Sequence, residues 1–240
     1  MVNPEFPTTR LGVLDIGSNT VHMIIVDAAP GARPDPGASV KTTVRLMQYL
    51  EEDGTINKDG VQALLAAVDA GMKLAEESKV SQILAMATSA MREAPNGGRI
   101  LGQIEERIGQ GVTVLSGVDE ARLTFLAARR WYGWDSGRLL LMDIGGGSLE
   151  VAMGSDEDPN VAISVPAGAG RVTKEFLPAD GTATPEQLEA AHKNVRRIIQ
   201  PIVDEFPKSK VPNHAVGTSK TFRSLARLAG VMLRQSGRVD

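Results

Sequence analysis

The sequence contains no cysteine. That excludes disulfides, cysteine nucleophiles and thiolate metal sites, and it leaves the redox compartment open. Aromatic side chains are scarce, at 4% of 240 residues, so a core has to be built mainly from aliphatic ones. No apolar run approaches the length of a membrane-spanning helix, and Met1–Arg10 lacks the apolar stretch of a secretory signal. A cytoplasmic protein is expected, with neither membrane nor nucleic acid as a partner. Charge of one sign is also lacking overall, the formal net charge being −3. It is unevenly spread: residues 1–120 carry 10 Lys/Arg against 16 Asp/Glu, and residues 121–240 carry 16 against 13. A basic second half can help hold a polyanion.

What is present is one phrase written twice. Leu139-Leu-Leu-Met-Asp-Ile-Gly-Gly-Gly-Ser-Leu-Glu150 reads as a buried strand ending in an acid and three glycines, followed by a strand running back. Glycines at such a turn can present bare N–H groups to an anion. Leu11-Gly-Val-Leu-Asp-Ile-Gly-Ser-Asn-Thr-Val-His-Met-Ile-Ile25 has the same grammar at a constant offset of 128 residues. Asp15 matches Asp143, Gly17 matches Gly145, Thr20 matches Ser148, and His22 matches Glu150. A repeat this long signals a duplicated domain rather than a solenoid. It predicts two similar lobes facing one phosphate chain across a cleft.

Between these phrases the pattern is α/β. The first lobe, residues 1–132, is read as βββαβαβ plus a closing helix, with a Pro/Gly loop over Gly31–Ser39 and a strand over Val40–Leu50. Helices are predicted over Asn57–Ser78, Gly98–Ile108 and from Leu115 to about Tyr132, and strands over Gln82–Thr88 and Val112–Leu115. Ser116 is the predicted N-cap of the last helix, with Asp119 three residues on. The second lobe, residues 133–240, is read as βββαβα. Its strands are Arg138–Gly146, Leu149–Gly154, Val161–Pro166 and His214–Thr218; its helices are Thr184–Phe206 and Ser219–Leu233; Ala167–Arg171 is a turn.

The two hairpins, together with Thr88-Ser-Ala-Met-Arg92, Leu115-Ser-Gly-Val-Asp-Glu-Ala-Arg122 and Gly217-Thr-Ser219, resemble the exopolyphosphatase/guanosine pentaphosphate phosphatase family. Pro166-Ala-Gly-Ala-Gly-Arg171 and Val216-Gly-Thr-Ser-Lys-Thr-Phe-Arg223 are similar to its short actinobacterial type. The resemblance implies two ribonuclease H-like lobes of the actin, sugar kinase and heat-shock chaperone superfold, with the second lobe ending early relative to the family. It implies hydrolysis of the terminal phosphate of inorganic polyphosphate or guanosine pentaphosphate. Glu120 is then the general base, and Asp143 and Glu150, with Asp15 third, are the candidates for holding Mg²⁺. Ser18, Asn19, Arg92, Gly145, Gly146, Gly147, Ser148, Gly217, Thr218 and Ser219 are the candidate phosphate contacts, and Arg122, Arg171, Lys174, Lys220 and Arg223 are candidates to line the substrate path. From the residues alone, Glu120 reads as a first-turn acid complementing the helix dipole, and it is the resemblance that reverses this reading. The alternatives carried beside hydrolysis are an ATP-dependent small-molecule kinase and a non-catalytic polyphosphate or alarmone binder. An open sheet edge at His214–Thr218 leads to the expectation of a homodimer.

Overall fold

A computed structural model describes residues 8–31, 35–206 and 211–231. The chain divides into two units, 1–115 and 116–240, each folded around its own sheet. No described helix is long and apolar enough to cross a membrane.

In the first unit, β1 (Thr9–Ile16) and β2 (Thr20–Ala28) form an antiparallel hairpin, and β3 (Asp35–Thr43) lies on the outer side of β2. Helix α1 (Lys58–Glu77) returns the chain to β4 (Gln82–Ala87), which pairs parallel with β1. After the short α2 (Ser89–Glu93) and α3 (Gly97–Ile108), β5 (Thr113–Val114) completes the sheet in the order β3-β2-β1-β4-β5. Leu14, Ile16, Val21, Met23 and Ile25 alternate inward from the hairpin. They meet Leu64, Ala67, Val68 and Ala75 of α1 and Ile100, Ile104 and Ile108 of α3, the aliphatic core that the lack of aromatics demands. The Asn57 side chain caps α1 by accepting from the Gly60 N–H at 3.0 Å.

The second unit repeats the plan. α4 (Gly117–Tyr132) leads into β6 (Leu139–Ile144), β7 (Leu149–Gly154) and β8 (Val161–Val165), again an antiparallel set. α5 (Ala169–Phe176) and α6 (Pro185–Glu205) precede β9 (His214–Thr218), which pairs parallel with β6, and α7 (Ser219–Leu228) follows. The order is β8-β7-β6-β9, so β9 stands where β4 stands in the first sheet. Thr184 and Gln187 form a reciprocal capping box at the start of α6, with Pro185 in its first turn.

Four readings from the sequence change. Helix α4, assigned to the first lobe, belongs to the second unit, because Ala121, Phe125 and Ala128 pack on Leu139, Leu141, Ala152 and Val216. The predicted Gly31–Ser39 loop gives way to strand at Asp35, since Pro36 lacks an N–H but sits on an edge strand, where that donor is not needed. Beyond Thr43 the predicted third strand turns into one turn of 3-10 helix over Leu46–Tyr49. The turn at Ala167–Arg171 is the beginning of α5. The tail of the predicted last helix, beyond residue 231, lies outside the described residues.

Arg129 holds the junction between α4 and β6. It is 2% exposed and has no acidic partner among its hydrogen bonds. Its guanidinium donates to the carbonyls of Gly137 (2.6 Å) and Trp134 (3.0 Å) and to the Ser136 hydroxyl (3.1 Å), beneath the Trp134 ring. Arg129→Met strands these acceptors without their donor, so a loss of about 3 kcal/mol is expected, read as a lower melting temperature of the full chain.

Candidate active site

The glycine turn between β6 and β7 is bolted from behind. The Gly145 carbonyl accepts from the Ala169 N–H (2.9 Å), Gly146 from the Arg171 N–H (3.0 Å), and Gly147 from the Gly168 N–H (3.2 Å) and the Arg171 side-chain Nε (2.9 Å). In a trans peptide the N–H of one residue points opposite to the carbonyl of the residue before it. Tying back three consecutive carbonyls therefore turns the N–H groups of Gly146, Gly147 and Ser148 away from that backing, as glycine turns that bind anions do. Close backbone contact explains Gly168. A Cβ on Gly168 would lie 2.5 Å from backbone atoms of Gly146 and Gly147.

The first hairpin is backed in the same manner. The Ser18 carbonyl accepts from Leu46 N–H (2.8 Å), and Asn19 from Val44 (2.9 Å) and Arg45 (3.0 Å). Arg45 takes the left-handed conformation (φ 56°), which turns the chain between its own N–H and that of Leu46. The N–H groups of Asn19 and Thr20 accordingly face away from this support. The Ser18 hydroxyl, read from sequence as a phosphate contact, is 2.8 Å from the Ser89 hydroxyl in the interior of the unit. Asn19 is exposed.

The acids gather in the second unit. Asp143 and Glu150 face one another across the β6–β7 ladder. Asp143 accepts from Thr218 Oγ1 at 2.7 Å, and Glu150 from Ser164 Oγ at 2.8 Å. Burial pushes the Asp143 carboxyl up, opposed by the nearby hydroxyls of Thr218 and Ser219. Ser219 lies towards Asp143 but completes no hydrogen bond of normal geometry. It also adopts φ 77°, a costly conformation for a residue with a side chain.

Glu150, 4% exposed, is pushed up to about 7, first by burial and then by the charges of Glu120 and Asp143, against the hydroxyls of Ser148 and Ser164. In the metal-free chain this has a sign that can be tested. Below the ordinary carboxyl range Glu150 is protonated in both folded and unfolded states and costs nothing. As pH rises from about 4.5 to about 7 the unfolded chain ionises first, so stability falls, and above 7 the penalty is constant. Glu150→Gln is expected to be more stable than wild type at pH 8 in chelator, by up to about 3 kcal/mol. The difference should vanish below pH 4.5. Thermal unfolding of both proteins across pH measures it.

Glu120 stands in the first turn of α4. Ser116 Oγ accepts the Asp119 N–H (3.1 Å) and donates to the Asp119 carboxylate (2.6 Å), so Asp119 serves the cap. Glu120 lies close enough to Glu150 to disfavour its charge. Among the described residues no three Asp, Glu or His side chains converge as a ready-made metal cage. The acids therefore divide into the paired Asp143 and Glu150 and the separate Glu120.

The remaining candidates take varied roles. Gly217 has no room for a side chain, since a Cβ would meet the Phe222 ring at 2.5 Å. Thr218 is engaged with Asp143. Arg92, in the first unit, donates Nη1 to the Leu115 carbonyl at 2.5 Å and lies 3.8 Å from Glu93. Asp15 faces His22 rather than a second acid. Arg171, read as lining the substrate path, supports the glycine turn. Ser164 was not foreseen; the one signal for it in the sequence is its place on a strand opposite Glu150.

Two α/β units of like strand order, the second with a backed glycine turn and a pair of acids on the strands it joins, define an α/β fold with a candidate anion site. The chain belongs to the Ppx/GppA phosphatase family, whose model matches residues 24–240. It is 46% identical over 228 residues to exopolyphosphatase 1 of Mycobacterium tuberculosis, a match covering 95% of this chain and 66% of that protein. An exopolyphosphatase structure from Cytophaga hutchinsonii superposes with a TM-score of 0.82 at 26% identity, over 92% of this chain and 70% of that one. The PPX-GPPA enzyme of Aquifex aeolicus gives a TM-score of 0.73 at 25% identity, over 95% and 73%. The chain thus spans about two thirds of the curated relative's length.

Proposed function

We propose that this chain is an exopolyphosphatase, releasing the terminal phosphate of inorganic polyphosphate by attack of water. The observation that carries the reading is the glycine turn of the second unit, whose three N–H groups are aimed away from a rigid backing, between the strands that carry Asp143 and Glu150. Likeness to the mycobacterial and Cytophaga exopolyphosphatases supports it. Phosphoryl transfer asks for positioning and charge neutralisation more than covalent chemistry. The N–H groups of Gly146, Gly147 and Ser148 bind phosphate oxygens and are already oriented before substrate arrives. Glu120 orients a water and accepts its proton. Asp119, being tied to Ser116, is not the base.

Asp143 and Glu150 fit a hard divalent cation such as Mg²⁺: a half-buried and a buried carboxylate side by side repel one another unless a proton or a cation lies between them. Two carboxylates suffice, because Mg²⁺ commonly completes its shell with water and phosphate oxygens. When bound, the ion supplies neutralisation of phosphate charge. Guanosine pentaphosphate, which ends in the same phosphoanhydride chemistry, is the second substrate of the proposal, and a cytoplasmic homodimer is the state proposed for the chain.

The test is phosphate release from long-chain polyphosphate, guanosine pentaphosphate and ATP side by side, with Mg²⁺ and with excess chelator. Release from polyphosphate that needs Mg²⁺ and no acceptor is expected. Turnover only with ATP and a small-molecule acceptor would replace the phosphatase reading with a kinase.

A further inference from the structure

The second sheet places one polar residue from each of its four strands on a single cross-strand row. Register sets Thr218 of β9 beside Asp143 of β6, Asp143 beside Glu150 of β7, and Glu150 beside Ser164 of β8. Directly opposed residues share a face of a sheet and interact. The row therefore reads hydroxyl, carboxylate, carboxylate, hydroxyl, and each outer hydroxyl donates to the acid next to it: Thr218 to Asp143 at 2.7 Å and Ser164 to Glu150 at 2.8 Å. A glutamate on a strand has several rotatable bonds, and the cross-strand hydrogen bond from Ser164, beside the hydroxyl of Ser148 in its own turn, holds it in one of many orientations.

The duplicated row in the first unit shows that this is not a property of the fold as such. There the residues in register are Met86, Asp15, His22 and Lys41. One acid remains, neither flanking strand supplies a hydroxyl, and the pKa of His22 is lowered first by burial and then by the charge of Lys41. The same architecture carries the clamped pair of acids once.

We infer that Ser164 is a positioning residue, the counterpart of Thr218, which fixes the Glu150 carboxylate so that Asp143 and Glu150 present a preformed pair to a hard divalent cation. The inference rests on the proposed role of those two acids as cation ligands. Groups that hydrogen-bond to a ligating side chain set its orientation, and their loss typically weakens metal affinity by about 10–100-fold.

The experiment titrates Mn²⁺ into the full chain without polyphosphate, following the free ion by electron paramagnetic resonance. Ser164→Thr and Ser164→Val both add a methyl branch and differ only in a hydroxyl against a methyl of similar size, and both suit a strand, so folding is matched between them. The valine variant is expected to bind Mn²⁺ about 10–100-fold more weakly than the threonine variant, which should stay near wild type. Thr218→Val is expected to weaken binding by a similar factor through Asp143. Equal affinity in Ser164→Thr and Ser164→Val, with Glu150→Gln still abolishing the site, overturns the role of Ser164 and leaves the cation site standing. Wild-type protein that takes up no Mn²⁺, or whose uptake survives Glu150→Gln, overturns the cation reading and the inference with it.

Discussion

Glu120→Gln is expected to lower phosphate release from long-chain polyphosphate by about 10²–10⁴-fold, the usual worth of a general base. The amide keeps the shape of the side chain and removes its ability to take a proton. The change leaves the backbone N–H groups of the glycine turn in the chain, so polyphosphate binding should persist, and the loss should fall on kcat rather than KM. Glu120→Asp should lie between, since the acid is retained at shorter reach. The neighbouring acid is the control. Asp119 is bound twice by Ser116, through its N–H and through its carboxylate. Asp119→Asn therefore disturbs a helix cap, at a cost of about 0.5–2 kcal/mol. If Asp119→Asn stops turnover and Glu120→Gln does not, the base has been placed on the wrong acid.

Gly168→Ala is expected to damage both folding and turnover. Its Cβ would sit 2.5 Å from the Gly146 carbonyl carbon and from the Gly147 nitrogen and carbonyl carbon. All three are backbone atoms of the turn itself, so no side chain can swing aside. The turn has to move, and with it the N–H groups proposed to bind phosphate. Overpacking of this kind costs about 1–3 kcal/mol. A displacement near 1 Å at a positioning group costs about 10²-fold in rate. Gly98→Ala makes the comparison, because a Cβ there meets nothing within 4 Å. It should leave both stability and turnover near wild type.

The duplicated phrase at Asp15 and Asp143 was enough to read two similar sheets from sequence, because strand, glycine turn and returning strand leave a pattern in consecutive residues. The acids at 143 and 150 were legible for the same reason: a hairpin fixes which residues stand opposite. Ser164 and Thr218 were harder. Their roles depend on register with strands 14 and 75 residues away, and one serine or threonine in a strand looks like any other. The backing of the glycine turn was hidden in the same way. Pro166-Ala-Gly-Ala-Gly-Arg171 stood out as a phrase, but only the packing shows that Gly168 is small so that another segment can approach. Helix α4 was assigned to the wrong lobe because its amphipathic face says that it packs, and does not say on which sheet.

The two units differ in how much interior they own. In the first, side chains from three helices and the sheet close over Leu14, Met23, Leu64, Ile100 and Ile104. Among the described residues of the second, the interior is a smaller group around Phe125, Leu139 and Leu141. With separate cores of unequal size, heating should give two calorimetric transitions rather than one, the lower belonging to the second unit. The proposed ligands act on that unit, and a ligand that favours the folded form stabilises it by RT ln(1 + [L]/Kd). A hundredfold excess over Kd is worth about 2.7 kcal/mol. Occupancy of the acid pair should therefore raise the lower transition and slow amide exchange in α4 and β6–β9, while the upper one stays where it was.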